Sequence, residues 1–74
     1  MQFDYSKLRG RIIEKYGNQY SFAKVMNWSE RTLSLKMNGL SPWKQTDICK
    51  AMSLLDISES EIQEYFFKKE VQSI

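Results

Sequence analysis

The sequence predicts an all-α fold of five short helices. Apolar residues recur at helical spacing in five segments, and glycine, asparagine or serine stands at the joints between them. One segment, residues 31–39, alternates polar and apolar residues as a strand does, but its leucine, lysine and methionine favour a helix, and it holds no valine or isoleucine. From the length of 74 residues we expect one domain and no second one.

The first two helices are predicted from their ends. Asp4 is a suitable N-cap for the first helix. Gly17 lies just after the last residue of this helix, where a glycine commonly ends a helix. Asn18 is then the N-cap of a second helix of about two turns. The joint between these two helices is therefore expected to be tight.

The third helix is predicted from Glu30 to about Asn38. Ser29 is a good N-cap, and Glu30 places a negative charge in the first turn, where the helix dipole favours it. Asn38 and Gly39 together form a stop signal. The segment that alternates like a strand is thus interpreted as this helix.

The fourth and fifth helices complete the prediction. The fourth is predicted from the helical spacing of four apolar residues, Ile48, Ala51, Met52 and Leu55. Ser58 and Glu61 have the spacing of a capping box, which predicts a fifth helix over about residues 59–66. The tail, residues 68–74, has no helical period and is expected to be extended or frayed.

The net charge of +2 hides an uneven distribution. Residues 7–50 hold nine basic residues against three acidic ones, a balance of +6, whereas residues 51–67 hold four acidic residues and no basic one. This asymmetry is typical of a domain with one half that faces a polyanion. The alternative is an ordinary surface of mixed, solvated charges.

The residue inventory excludes several kinds of site. The chain has no histidine and one cysteine, Cys49, so it offers no Cys/His metal set, no histidine base and no internal disulfide. We therefore predict no enzyme activity, no cofactor and no metal. No apolar run is long enough for a signal peptide or a membrane span, so the expected location is the cytoplasm and no membrane partner is expected. We also predict no small-molecule ligand.

Residues 19–39, QYSFAKVMNWSERTLSLKMNG, resemble the helix-turn-helix of the Cro and repressor (XRE-type) proteins of bacteriophages. Over about residues 3–67 the chain is similar to small Cro-like regulators of phages and prophages in Gram-positive bacteria. The resemblance implies a lambda-repressor-like helix-turn-helix domain over residues 1–74, with its core at about residues 18–39 and a tail at residues 68–74.

The resemblance also assigns structural roles to four positions. Ala23 lies at a position of the second helix where the side chain must be small, because the third helix crosses there. Asn27 replaces the usual turn glycine, and asparagine is the next-best residue for a left-handed backbone. Trp28 and Leu33 fall on the apolar positions that hold the third helix against the core.

The resemblance implies that the third helix lies in the major groove of DNA. If Leu33 and Met37 face the core, the residues on or beside the opposite face are the predicted base contacts: Glu30, Arg31, Thr32, Ser34 and Leu35. Arg31 is expected to bond guanine, and Leu35 to contact thymine methyl groups. The alternative for Arg31 is a phosphate contact. For Leu35 the alternatives are an exposed leucine without a binding role and a contact with a protein partner.

Phosphate contacts are predicted at six positions around this helix: Asn18, Gln19, Lys36, Asn38, Ser41 and Lys44. At Lys36 the family usually has a large apolar residue, so its methylene stem is expected to pack while its amine reaches toward phosphate. Lys44 lies near the N-terminus of the fourth helix, where a cation is unfavourable unless an anion such as phosphate is present.

The leading interpretation is a sequence-specific transcriptional regulator, a Cro-like phage or prophage repressor, that binds double-stranded operator DNA. The alternative is a protein-interaction module or antirepressor on the same fold, which Leu35 and the modest net charge favour. Because one helix reads few base pairs, a weak homodimer is predicted, with contacts at Phe67, Val71 and Ile74. A frayed, monomeric chain end is the alternative.

Overall fold

The computed structural model describes residues 3–70, and in this part of the chain it has five α-helices. They are α1 (Ser6–Tyr16), α2 (Gln19–Val25), α3 (Glu30–Met37), α4 (Gln45–Leu55) and α5 (Ile62–Phe66), with a 3-10 turn, Glu59–Glu61, directly before α5. The prediction of an all-α fold with five helices is confirmed. Within the same residues, no helix has the length and hydropathy that a membrane crossing needs.

Side chains at the helix starts explain why α2 and α3 begin where they do. Asn18 Oδ1 accepts a hydrogen bond from the Ser21 N–H (2.8 Å), and Ser29 Oγ accepts one from the Thr32 N–H (3.1 Å). Both predicted N-caps are therefore observed. Between these helices Asn27 has a φ of 68°, which is the left-handed conformation predicted for the joint.

The start of α1 differs from the prediction. Asp4 is not its N-cap, because the helix begins at Ser6 and Tyr5 is the flanking residue. The Asp4 carboxylate instead accepts hydrogen bonds from the Ser6 hydroxyl (2.6 Å) and N–H (2.9 Å), and these bonds lower the pKa of Asp4. An aspartate that bonds the residue two positions later forms a local turn, so α1 begins one residue later than its capping pattern predicts.

The core lies between the helices and takes one face from each of them. Its largest fully buried side chains are Phe22, Phe66, Leu8, Ile12, Leu33 and Leu55. Burial of one such side chain contributes about 1.5–3 kcal/mol to folding. In α3, Leu33 and Met37 are both buried, as predicted, and Ala23 of α2 is buried as well. The spacing of apolar residues therefore identified the inner face of α3 correctly.

The two ends of the described segment lie beside each other. The Asp4 N–H donates a hydrogen bond to the Lys68 carbonyl (2.7 Å), and Phe3 forms an antiparallel bridge with Lys69. The rings of Phe3 and Phe67 pack edge to face, with their centres 5.8 Å apart. The first residues of the predicted tail are thus held against the N-terminal segment.

Candidate functional site

The exposed face of α3 carries the residues that were predicted to contact DNA bases. Glu30, Arg31 and Ser34 are exposed there, whereas Thr32 and Leu35 are half-buried. The opposite charges of Glu30 and Arg31 cancel, so these five residues carry no net charge. DNA binding is driven by an excess of positive charge that neutralises phosphates. The outer face of α3 does not supply that excess by itself.

Lys36 was predicted to contact phosphate, but it is buried in the structure. It is 6% exposed, and its ammonium group donates to the Pro42 carbonyl (2.8 Å) and to Asp47 Oδ2 (3.2 Å). The same group lies over the ring of Trp28, 5.0 Å from the ring centre. The prediction that this amine reaches toward phosphate is therefore wrong, because a carbonyl, a carboxylate and an aromatic ring hold it inside the protein.

Asp47 completes this buried ion pair and also explains the start of α4. Burial raises the pKa of Asp47, but hydrogen bonds from the Lys44 N–H (3.0 Å) and from the Lys36 ammonium group outweigh burial, and the pKa is lowered. A carboxylate at the third helical position that accepts from the N-cap N–H is one half of a capping box. Lys44 can therefore begin α4 without a capping side chain of its own.

The other predicted phosphate contacts lie in varied surroundings. Asn18 and Asn38 use part of their hydrogen-bonding capacity inside the protein, since Asn18 caps α2 and the Asn38 amide donates to a backbone carbonyl of α3 (2.9 Å). Gln19 and Ser41 are half-buried, and Lys44 is exposed. Contacts between these five residues and DNA remain predictions.

Ion pairs neutralise much of the basic half of the sequence. Of the nine basic residues between positions 7 and 50, four pair with carboxylates: Lys7 with Glu64, Arg11 with Glu14, Lys15 with Asp56, and Lys36 with Asp47. Lys15 lowers the pKa of Asp56, and Glu64 raises the pKa of Lys7. Because Asp56 and Glu64 come from the acidic stretch, folding brings the two halves together and reduces the charge asymmetry.

An apolar groove lies between the N-terminal segment, the loop after α3, and α5. We call it the aromatic groove and define it by its apolar lining residues: Phe3, Tyr5, Leu40, Pro42, Trp43, Ile48, Phe66 and Phe67. Its volume is about 340 Å³. A cavity of this size, lined mainly by apolar and aromatic side chains, has the character of a binding site.

Trp43 connects the aromatic groove to the core. Its ring centre lies 5.3 Å from that of Phe66, 5.5 Å from that of Trp28 and 6.2 Å from that of Tyr5. The Trp43 Nε1–H is buried and has no hydrogen-bond partner within residues 3–70. A buried donor without an acceptor costs free energy.

Four residues of the aromatic groove are exposed to water, namely Pro42 and three large apolar side chains. Leu40 is 73% exposed, and Phe3 and Phe67 are each 37% exposed. Clusters of exposed apolar residues mark interaction sites in small proteins, and aromatic residues carry much of the binding energy of protein interfaces. Within residues 3–70, the aromatic groove therefore has the features of a surface that binds another protein.

Sequence reasoning missed the aromatic groove. Phe67 was predicted as a dimer contact together with Val71 and Ile74, of which the last two lie outside the described residues. Phe67 packs against Phe3 of its own chain, and a dimer contact there remains a prediction. Leu40 could have indicated an exposed apolar surface, since it is an apolar residue that directly follows the stop signal of α3.

Comparisons with known proteins match this chain to a protein family and to a solved structure. The family model described as "Protein of unknown function (DUF739)" matches residues 1–69. A solved structure, described as the solution structure of the modulator of repression (MOR) of the temperate bacteriophage TP901-1 from Lactococcus lactis, is 47% identical to this chain. The similarity covers 97% of each chain, with a TM-score of 0.81. No curated protein matches the chain.

These matches correct the family that the sequence suggested. Residues 19–39 resemble a Cro or XRE-type helix-turn-helix, but neither the matched family nor the matched structure is a repressor of that type. The resemblance rests on small, apolar or left-handed residues. Such residues determine how the helices pack, but they do not determine what the outer surface of the helices binds. The assignment to the Cro-like repressors is therefore wrong.

Proposed function

We propose that the chain, which belongs to the DUF739 family, regulates repression by binding a repressor protein through the aromatic groove. The solved relative is named a modulator of repression of a temperate bacteriophage, and its similarity extends over nearly the whole of both chains. A regulatory role in a phage is supported by this likeness. Of the two interpretations of the sequence, the protein-interaction module fits it better than a DNA-binding regulator does.

The observation that carries this proposal is the exposure of Leu40 at the mouth of the aromatic groove. A leucine that is 73% exposed, beside two phenylalanines that are each 37% exposed, leaves apolar area in water that a partner would cover. The residues around it are well ordered by packing, because Phe67 contacts Phe3 and Trp43 contacts Phe66. A prearranged apolar surface loses little conformational entropy when a partner binds.

The charge distribution favours a protein partner over DNA. A helix that reads operator DNA depends on cations close to the phosphates, and the loss of each phosphate contact weakens binding measurably. Lys36, the basic residue of α3 that was predicted to contact phosphate, is paired with Asp47 in the interior. The remaining charges of α3, Glu30 and Arg31, cancel.

The test is the affinity of purified variants for the cognate repressor, measured by isothermal titration calorimetry. We expect Leu40→Glu to weaken binding at least about tenfold, because it places a carboxylate on the apolar surface that the partner covers. Ile13→Glu is the matched control, since Ile13 is an exposed apolar residue (45%) that lies outside the aromatic groove. This control should bind with nearly wild-type affinity.

An operator-DNA titration of the same proteins distinguishes the two interpretations. We expect no sequence-specific complex between this chain alone and operator DNA. Wild-type affinity of Leu40→Glu for the repressor, together with a salt-dependent complex of this chain with operator DNA, would contradict the proposal.

A further inference from the structure

A second cleft shares the lining residue Phe67 with the aromatic groove. We call it the lysine cleft, and its lining residues are Lys7, Gln63, Glu64, Phe67, Lys68 and Lys69. Its volume is about 580 Å³. Because Phe67 lines both the aromatic groove and the lysine cleft, one bound segment can contact both.

The lysine cleft carries a net positive charge. Lys7 is paired with Glu64 and lies over the Tyr65 ring, 4.9 Å from its centre, so Lys7 is committed within the protein. Lys68 and Lys69 are exposed, and neither forms an ion pair within residues 3–70. Three lysines against one glutamate give the cleft a balance of +2.

Two further carboxylates near the chain ends do not line the lysine cleft. The Asp4 carboxylate accepts two hydrogen bonds from Ser6, which lower its pKa, and the nearby charge of Lys68 lowers it further. Glu70 lines a separate cleft together with Arg9 and residues at the end of α3. The charge of Lys69 is therefore the one most available to a partner.

We infer that the aromatic groove and the lysine cleft together bind a partner segment that carries apolar side chains beside carboxylates. The apolar side chains lie against Leu40 and Phe67, and the carboxylates lie over Lys68 and Lys69. This inference rests on the proposed function, because it states the chemistry of the repressor surface that the chain recognises. The charge of the cleft is complementary to that of such a segment.

The two surfaces are expected to act on different rate constants. Exposed charges at the edge of an interface mainly steer encounter, so they change the association rate and its dependence on salt. Buried apolar contacts mainly determine how long a complex lasts, so they change the dissociation rate. A kinetic measurement therefore separates the lysine cleft from the aromatic groove.

The experiment measures binding kinetics of the full chain to the purified cognate repressor on a biosensor surface. We expect Lys68→Gln combined with Lys69→Gln to slow association about tenfold at low ionic strength, with a nearly unchanged dissociation rate. Added salt should slow the wild type more than this variant. Lys68→Arg combined with Lys69→Arg should restore the wild-type rate. Lys24→Gln combined with Lys50→Gln is the control, since neither lysine lines the aromatic groove or the lysine cleft.

An unchanged association rate in the Lys68→Gln, Lys69→Gln variant would overturn the inference. If Leu40→Glu speeds dissociation in the same experiment, the proposed function stands and the assigned charge of the partner segment is wrong. If wild-type protein does not bind the repressor, the proposed function and the inference both fail.

Discussion

At the scale of single residues, Lys36 and Asp47 determine how α3 is joined to α4. Their side chains are 8% and 17% exposed, so the ion pair is largely removed from water. Lys36 also donates to the Pro42 carbonyl, and Pro42 lies in the loop that carries Leu40 and Trp43. The ion pair therefore supports one wall of the aromatic groove. Such pairs add little net stability, but removal of one partner leaves the other charge uncompensated.

We predict that Lys36→Met lowers the free energy of unfolding by about 2–3 kcal/mol, because Asp47 and the Pro42 carbonyl lose a charged hydrogen-bond donor. Methionine keeps a chain of similar length, so the change in packing is small. Urea unfolding at neutral pH, followed by tryptophan fluorescence, measures the difference. The exposed Lys24→Met should change stability by no more than about 0.5 kcal/mol. Equal losses in the two variants would contradict this account of Lys36.

At the scale of elements, the joint between α2 and α3 depends on one left-handed residue. Asn27 has a φ of 68°, and directly after it the Trp28 N–H donates to the Ala23 carbonyl (2.8 Å). The left-handed conformation costs most residues about 1–2 kcal/mol, because the Cβ atom crowds the following carbonyl oxygen. Glycine and asparagine tolerate this conformation best. The conformation of Asn27 thus sets the direction in which α3 leaves α2.

Two substitutions at this joint should have different effects. We predict that Asn27→Ala lowers the free energy of unfolding by about 1 kcal/mol, whereas Asn27→Gly changes it by less than about 0.5 kcal/mol. Thermal unfolding of the two variants beside the wild type measures the difference. If the alanine and glycine variants were equally stable, tolerance of the left-handed conformation would not explain the asparagine at this position.

Much of each helix could be predicted from the sequence, because the signals are local. In α3 the N-cap Ser29 and the buried pair Leu33 and Met37 lie within one or two helical turns of each other. The contacts of Lys36 could not be predicted, because Pro42 and Asp47 lie six and eleven residues away across a loop. Its polar character alone suggested a solvent-exposed amine, and only the fold revealed a buried one.

At the scale of the whole molecule, the candidate interface comes from distant parts of the chain. Phe3, Leu40, Trp43 and Phe67 meet because Phe3 pairs with Lys69 beside the loop after α3. No sequence period connects these positions, so the sequence does not predict that they form one surface. The surface charge of the basic half was overestimated for the same reason, since Asp56 and Glu64 lie far along the sequence from the lysines that they neutralise.

An NMR titration of the ¹⁵N-labelled protein, with unlabelled cognate repressor and separately with operator DNA, tests the central claim most directly. We predict that the repressor produces the largest shifts at the Trp43 indole N–H and at the backbone amides of Leu40 and Phe67, and that operator DNA produces no specific shifts. Large shifts at Arg31 and Ser34 on addition of operator DNA, with no change in the aromatic groove on addition of the repressor, would contradict it.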